Sequence, residues 1–273
     1  LDRDFNQKLL EEYKPKIDAA RQAIYDLPRV KKFTKKYNQG KIERYIESIY
    51  QELEELDYND PKDKRKIDSR QQKISNIRAG IFTTKKEQEL IRPLNLGSPV
   101  DLPQLMYSDS GFKFPVIKNN ESGKPSTDED TLVELRLTIK DPESPKAIFL
   151  DKLLELRGLQ KMYTTYIEGW HEKVQDDSRL HGRYNIHGTD SNRFSSADPN
   201  MQQIPKTSVD PNIKKQLVAP PGYLYMAFDY SQAELRMMAH LSGDETYLEA
   251  FAKGVDPHLG IAVPLSATDS FPL

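Results

Sequence analysis

Asp229 ends the apolar run YLYMAFD, and Ser231-x-x-Glu234 follows it directly. A carboxylate at a strand end, beside a helix N-terminus, can ligate Mg²⁺ together with substrate phosphates. Such chemistry usually employs two ions and therefore a second convergent carboxylate. Asp190, Asp198, Asp244 and Asp256 are available in sequence, and nothing local singles one out. The same residues have a purely structural reading. Ser231 and Glu234 have the spacing of a capping box, which stabilises a helix by about 1 kcal/mol and needs no function.

A second stretch, TDSNRFSSADPNMQQIP, carries another chemistry. Arg193 is a planar five-donor fork able to meet base or phosphate oxygens. Asn200, Gln202 and Gln203 offer amides. Every base pair presents an acceptor in the DNA minor groove, so Arg and amide donors can check pair shape there without reading sequence. The structural alternative is a polar loop whose amides bond its own backbone.

The elements that must position these residues follow from periodicity. Glu, Lys, Gln, Ile and Leu dominate the first 92 residues and predict helices. In KIERYIESIYQELEELDY the positions Ile42, Tyr45, Ile46, Ile49, Tyr50, Leu53 and Leu56 form one apolar stripe. Pro61 interrupts it, and a second helix is expected from about Lys66 to Arg92, with Gly80 weakening its middle. A short helix opening with Ser98 and Pro99, another capped by Thr127, and a long one led by Pro145 come next. After Trp170 the texture changes. RLHGRYNIHG alternates as a strand, YLYMAFDY is the best strand pattern in the chain, and SQAELRMMAHLSG and ETYLEAFAKG read as helices. Leu224, Met226 and Phe228 fall on one strand face; Ala233, Met237 and Leu241 are the expected buried stripe of the helix that follows, and Gly243 its stop. The reading is α+β, mostly helical, with too few strands for a complete sheet.

Composition bounds the function. With 273 residues, 37% hydrophobic and 30% charged, the chain can bury a sizeable core but is more polar than an average domain. It has no cysteine, which excludes disulfides and thiolate chemistry and fits a reducing, cytoplasmic setting. No apolar run reaches the ~20 residues that span a bilayer, so no membrane partner is expected. Net charge is −2, so bulk charge announces no nucleic-acid partner. Between Arg29 and Arg44, however, Arg29, Lys31, Lys32, Lys35, Lys36, Lys41 and Arg44 stand against the single acid Glu43. This patch suits phosphates, or is a solvated helix face.

Taken in series, these stretches resemble the family A DNA polymerases. GTDSNRFSSADPNMQQIP is similar to the pattern Thr-x-x-x-Arg-[Leu/Phe]-Ser-Ser-x-x-Pro-Asn-x-Gln-x-Ile-Pro, and DYSQAELRMMAHLSGD to the first polymerase motif, Asp-Tyr-Ser-Gln-x-Glu-Leu-Arg. AFAKGVDPH follows with the family's Asp-x-His. Upstream, NLGSPVDLPQL, STDEDTLVEL and LLELRGLQKMYTTYI resemble thumb and thumb-to-palm segments in the right order. The resemblance implies a helical lead-in over 1–40, a thumb-like region over 41–170, a partial palm with an incomplete antiparallel sheet over 171–260 and an atypical tail over 261–273. It implies template-directed DNA synthesis on primer-template DNA with dNTPs and two Mg²⁺ ions. Asp229 and the Tyr230 carbonyl correspond to metal ligands, Glu234 to the steric gate against a ribose 2′-hydroxyl, and Gln232 and His258 to groups beside the incoming nucleotide. Arg193, Asn200 and Gln202 correspond to minor-groove contacts at the primer terminus.

The sequence also departs from the family. It contains no Arg-x-x-x-Lys fingers helix followed by Phe and Tyr-Gly, and no His-Asp dipeptide to bring the second catalytic carboxylate. VPLSATDSFPL replaces an expected apolar helix. Three readings stay open here: a polymerase part completed by a second polypeptide, a self-standing DNA-binding module, and a truncated product without function of its own.

Overall fold

The structure is a computed structural model that describes residues 1–190 and 193–256. It divides into two units, Leu1–Leu217 and the part from Val218 onward.

The first unit is built on two long helices, α1 (Arg3–Tyr25) and α2 (Pro28–Glu54). Asp2 caps α1 by accepting from the Phe5 amide, and Pro28 opens α2 at a position where a missing N–H costs nothing. α3 (Pro61–Arg78) starts in the same way, with Asp60 as its cap and Pro61 in its first turn. The interruption expected at Pro61 is thus a helix start. Gly80, expected inside a helix, adopts φ +79° just past the end of α3 and stops it. The chain resumes in α4 (Lys85–Gln88), opened by a complete capping box between Thr84 and Glu87. The boundary expected near residue 40 falls inside α2.

α5 (Asp101–Tyr107) begins two residues later than Pro99 suggests, because the Ser98 hydroxyl accepts from the amides of both Val100 and Asp101. α6 (Glu129–Leu137) is capped by Asp128 rather than Thr127. Its carboxylate, beside the Thr131 hydroxyl and accepting from the Thr131 amide at 2.7 Å, lies well below the usual aspartate range. α7 (Pro145–Lys161), a π-helical turn (Met162–Ile167) and α8 (Glu168–Lys173) form one continuous helix.

Three apolar clusters hold this unit. The largest joins α1, the first half of α2, α5, α6 and α7, with Phe112 and Phe114 inserted from a loop and Phe112 stacked 4.4 Å from Phe149. A second gathers Leu9, Tyr13, Tyr166, Ile167, Trp170 and Ile213. The third, made of Ile49, Leu53, Ile67, Ile74 and Ile77, belongs to the α2–α3 hairpin alone. The stripe predicted from Ile42 to Leu56 is therefore real, but its counterpart is α3.

Two short strands, β1 (Arg183–Asn185) and β2 (Ser195–Ala197), pair antiparallel with Tyr184 opposite Ser196. α9 (Pro211–Lys215) follows. The fold class is α+β and mostly helical, as expected.

The second unit contains α10 (Ala233–Ser242) and α11 (Glu245–Ala252), packed on each other. Two expectations fail here. Residues 223–230 form no strand. A strand is satisfied only by a ladder partner, and among the described residues the β1–β2 ladder is the only sheet. The buried stripe expected of Ala233, Met237 and Leu241 is also absent: all three are exposed, and only Ala239 of that helix is buried.

Candidate functional site

The polar loop is built from β2 outward. Thr189 and Arg193 clip its start: the Arg193 amide donates to the Thr189 hydroxyl (3.0 Å), which donates back to the Arg193 carbonyl (2.8 Å). This gives the Thr-x-x-x-Arg spacing a physical reason. Arg193 and Phe194 are exposed. Buried Ser196 accepts from the Met201 amide at 3.1 Å, and the Asn200 Oδ1 accepts from the Gln202 amide at 3.0 Å. Beyond that turn Met201 and Ile204 pack against the Trp170 cluster, whereas Gln202 and Gln203 face solvent. The loop is thus an anchored shelf presenting amides. Asn200 spends its acceptor on the backbone, as the structural alternative predicts, and keeps its Nδ2 donors.

Asp229 and Tyr230 lie on the exposed stretch before α10. The capping box read from Ser231 and Glu234 does not form. A cap residue needs extended backbone, but Gln232 precedes the helix with φ +53° and ψ +42° and makes no side-chain cap bond. Arg236 instead donates to the Ser231 carbonyl at 2.9 Å and lies over the Phe251 ring at 4.4 Å, tying α10 to α11. A left-handed non-glycine residue costs roughly 1 kcal/mol or more, and such residues gather at functional sites. Gln232 donates to Asp256 Oδ1 at 2.9 Å, which joins the two sequence motifs within this unit. Glu234 stands in the first turn of α10. His258 lies outside the described residues.

The four aspartates considered as a second carboxylate have other occupations or no described link to Asp229. Asp198 receives Arg183 (3.1 Å) and Lys173 (3.6 Å). Asp244 caps α11, Asp256 receives Gln232, and Asp190 is exposed. No group of three or more His, Asp or Glu among the described residues is arranged to hold a metal.

The basic patch is sorted by its partners. The Arg29 fork donates to the Gly111 carbonyl, Lys31 pairs with Asp26 at 2.9 Å, and Lys41 lies over the Tyr37 ring, where burial lowers its pKa. Lys32, Lys35 and Lys36 are exposed and form no ion pair among the described residues. Exposed Arg44 spends only its Nε on the Gly40 carbonyl of its own helix (3.1 Å), so these three lysines and Arg44 are the phosphate-accessible part.

A family model for DNA polymerase family A matches residues 62–269. The chain belongs to DNA polymerase family A. It is 39% identical over 170 residues to DNA polymerase I of Pseudomonas aeruginosa, covering 62% of this chain and 18% of that protein. It is 37% identical over 206 residues to the thermostable DNA polymerase I of Thermus aquaticus, covering 72% and 23% respectively. Among solved structures, the POL domain of Pol1 from M. smegmatis, in complex with DNA primer-template and dNTP, superposes with a TM-score of 0.59 at 26% identity. That superposition covers 94% of this chain and 33% of that one. The chain therefore spans less than a quarter of the curated relatives' length.

Family A DNA polymerases generally use divalent metal ions. The exposed Asp229 carboxylate and the adjoining Tyr230 carbonyl are hard oxygen donors of the kind Mg²⁺ accepts. They fit part of such a shell, which substrate phosphates and water commonly complete. No described helix is long and apolar enough to cross a membrane.

Proposed function

We propose that this chain is the thumb-like region and first part of the palm of a DNA-directed DNA polymerase, working on primer-template DNA and dNTPs in the cytoplasm. The observation that carries this reading is the anchored amide shelf of residues 193–204 followed in series by the Asp229 segment. Asp229 and the Tyr230 carbonyl would hold Mg²⁺, two ions in the complete site. Bound Mg²⁺ lowers the pKa of the primer 3′-hydroxyl and stabilises charge on the α-phosphate and leaving pyrophosphate. Glu234, in the first turn of α10, excludes a ribose 2′-hydroxyl by bulk, and Gln232 and His258 flank the incoming nucleotide. Arg193, Asn200 and Gln202 donate to minor-groove acceptors, which checks pair shape without reading sequence. The second carboxylate comes from the remainder of the polymerase domain, carried on a longer chain or a second polypeptide.

A second reading is a self-standing duplex-binding module. It is favoured by the first unit, which holds both the amide shelf and the exposed lysines and has its own apolar clusters.

Two measurements test the DNA contact that both readings share. The purified 273-residue chain is expected to bind primer-template duplex with strong salt dependence and to show no primer extension with Mg²⁺ and dNTPs. Extension by the chain alone would mean that it contains a complete metal site after all. Replacing Lys32, Lys35 and Lys36 together by alanine should flatten the plot of log affinity against log salt by about one unit per lysine that meets a phosphate. An unchanged slope would remove this patch from the interface.

A further inference from the structure

We propose that Tyr166 is a positioning residue for DNA recognition: from the π-helical turn it fixes the backbone of the amide shelf next to Gln202, and so sets where the Gln202 amide points. The inference rests on the reading of that shelf as a DNA contact. Tyr166 is 5% exposed, and its hydroxyl donates to the Gln203 carbonyl at 2.6 Å. Among the described residues it is the one side chain from outside 195–204 that bonds the backbone of that loop. The other fixings are local: Ser196 to Met201, Asn200 to Gln202, and the packing of Met201 and Ile204. Gln203 directly follows Gln202, so this carbonyl governs the peptide plane between the exposed amides and the half-buried Ile204.

The π turn that carries Tyr166 is itself held on three sides. Its widened helix leaves the Ile167 carbonyl to be taken by Asn6 Nδ2 at 3.0 Å, in a fully buried position. Asn6 also bonds Gln216 (2.6 Å) and His171 (2.9 Å), joining α1, α8 and the end of α9 to the turn. At Gly169 a Cβ would lie 2.6 Å from the Thr164 carbonyl, so only glycine lets the wide turn close. Edge-on contact with Trp170, with ring centroids 5.7 Å apart, fixes the Tyr166 ring. The ring therefore serves the core and the hydroxyl serves the loop, and Tyr166→Phe separates the two roles.

The test is a double-mutant cycle in the full chain, using native protein, Tyr166→Phe, Gln202→Ala and the double variant. Affinity for a primer-template duplex is followed by fluorescence anisotropy at several salt concentrations, and amide exchange is followed over 201–204. Tyr166→Phe is expected to weaken binding about three- to tenfold, the scale of one buried hydrogen bond. It should speed exchange in the loop and leave the salt slope unchanged, because no phosphate contact is lost. The double variant should bind no worse than Gln202→Ala alone. If Gln202→Ala weakens binding and Tyr166→Phe does not, or if their effects add, the positioning role is wrong while the DNA reading stands. If Gln202→Ala itself has no effect, the DNA reading of the shelf falls, and this proposal with it.

Discussion

Gly111→Ala is expected to lower the melting temperature by roughly 6–12 °C, corresponding to a loss near 3 kcal/mol at the upper end of overpacking costs. A Cβ at this position would lie 2.0 Å from the Leu105 carbonyl oxygen and 2.7 Å from its carbon. Both are backbone atoms, so no rotamer change relieves the clash. The approach is close because the Phe112 amide returns to the Leu105 carbonyl at 2.8 Å, which drops Phe112 and Phe114 into the main core. The Gly111 carbonyl is also the acceptor for the Arg29 fork, so displacing it unsettles α2 as well. Gly40→Ala is the matched control. It lies inside α2 with nothing within 4 Å of its would-be Cβ, and alanine there should stabilise by about 0.5–1 kcal/mol. Thermal melts followed by far-UV circular dichroism compare the two. Equal melting temperatures for both variants would show that the loop shifts freely and that the Phe112 insertion is not rigid.

Glu87→Gln is expected to cost about 2–3 kcal/mol at pH 7, with the deficit shrinking in acid. Glu87 is almost fully buried. Burial by itself raises its pKa, but the amides of Thr84 and Thr83, the Thr83 hydroxyl and the Lys73 ammonium outweigh that and hold it at about 2. The folded-state pKa is thus below the unfolded value of 4.5. Its contribution is complete above 4.5 and is lost as pH falls from there toward 2. Urea titrations of both proteins at pH 7, 4 and 3 should therefore converge. A gap independent of pH would mean that the ionised form gives no advantage over a neutral side chain of the same shape.

Much of the helical part was legible because its signals are local. Proline in a first turn, an Asx or Ser cap and a four-residue apolar step each act within one or two turns. Hence Pro28, Pro61 and Pro145 all open helices. One-residue errors at Thr127 and two-residue errors at Pro99 arose where a neighbouring side chain competed for the same amide. The stretch 223–230 departs from its strand pattern for the opposite reason. Its alternation is genuine, but a strand is a relation between two segments, and no described segment pairs with this one. The site divides along the same line. Asp229 and Glu234 stand out through motif spacing alone, whereas the bond from the Tyr166 hydroxyl to the Gln203 carbonyl joins residues 37 apart and leaves no periodic trace. The π turn is likewise unannounced. Only Gly169, tolerated inside a helix, hints at it.

The α2 helix belongs to two cores, with Val30 and Phe33 in the main one and Ile49 and Leu53 in the hairpin's own. Between them, the Tyr37 hydroxyl meets Asp101 and the Asn38 amide meets the Arg92 carbonyl, each at 3.1 Å. Beyond this fulcrum the hairpin is a lever arm joined to the main core through α2 and through the returning segment 79–96, which carries Leu94 and Leu96. The arm from Gly40 to Glu54 is about 20 Å long at 1.5 Å per residue, so a tilt of about 5° swings its tip by about 2 Å. Displacement at the tip can thus be large while every apolar contact on either side of the elbow is kept.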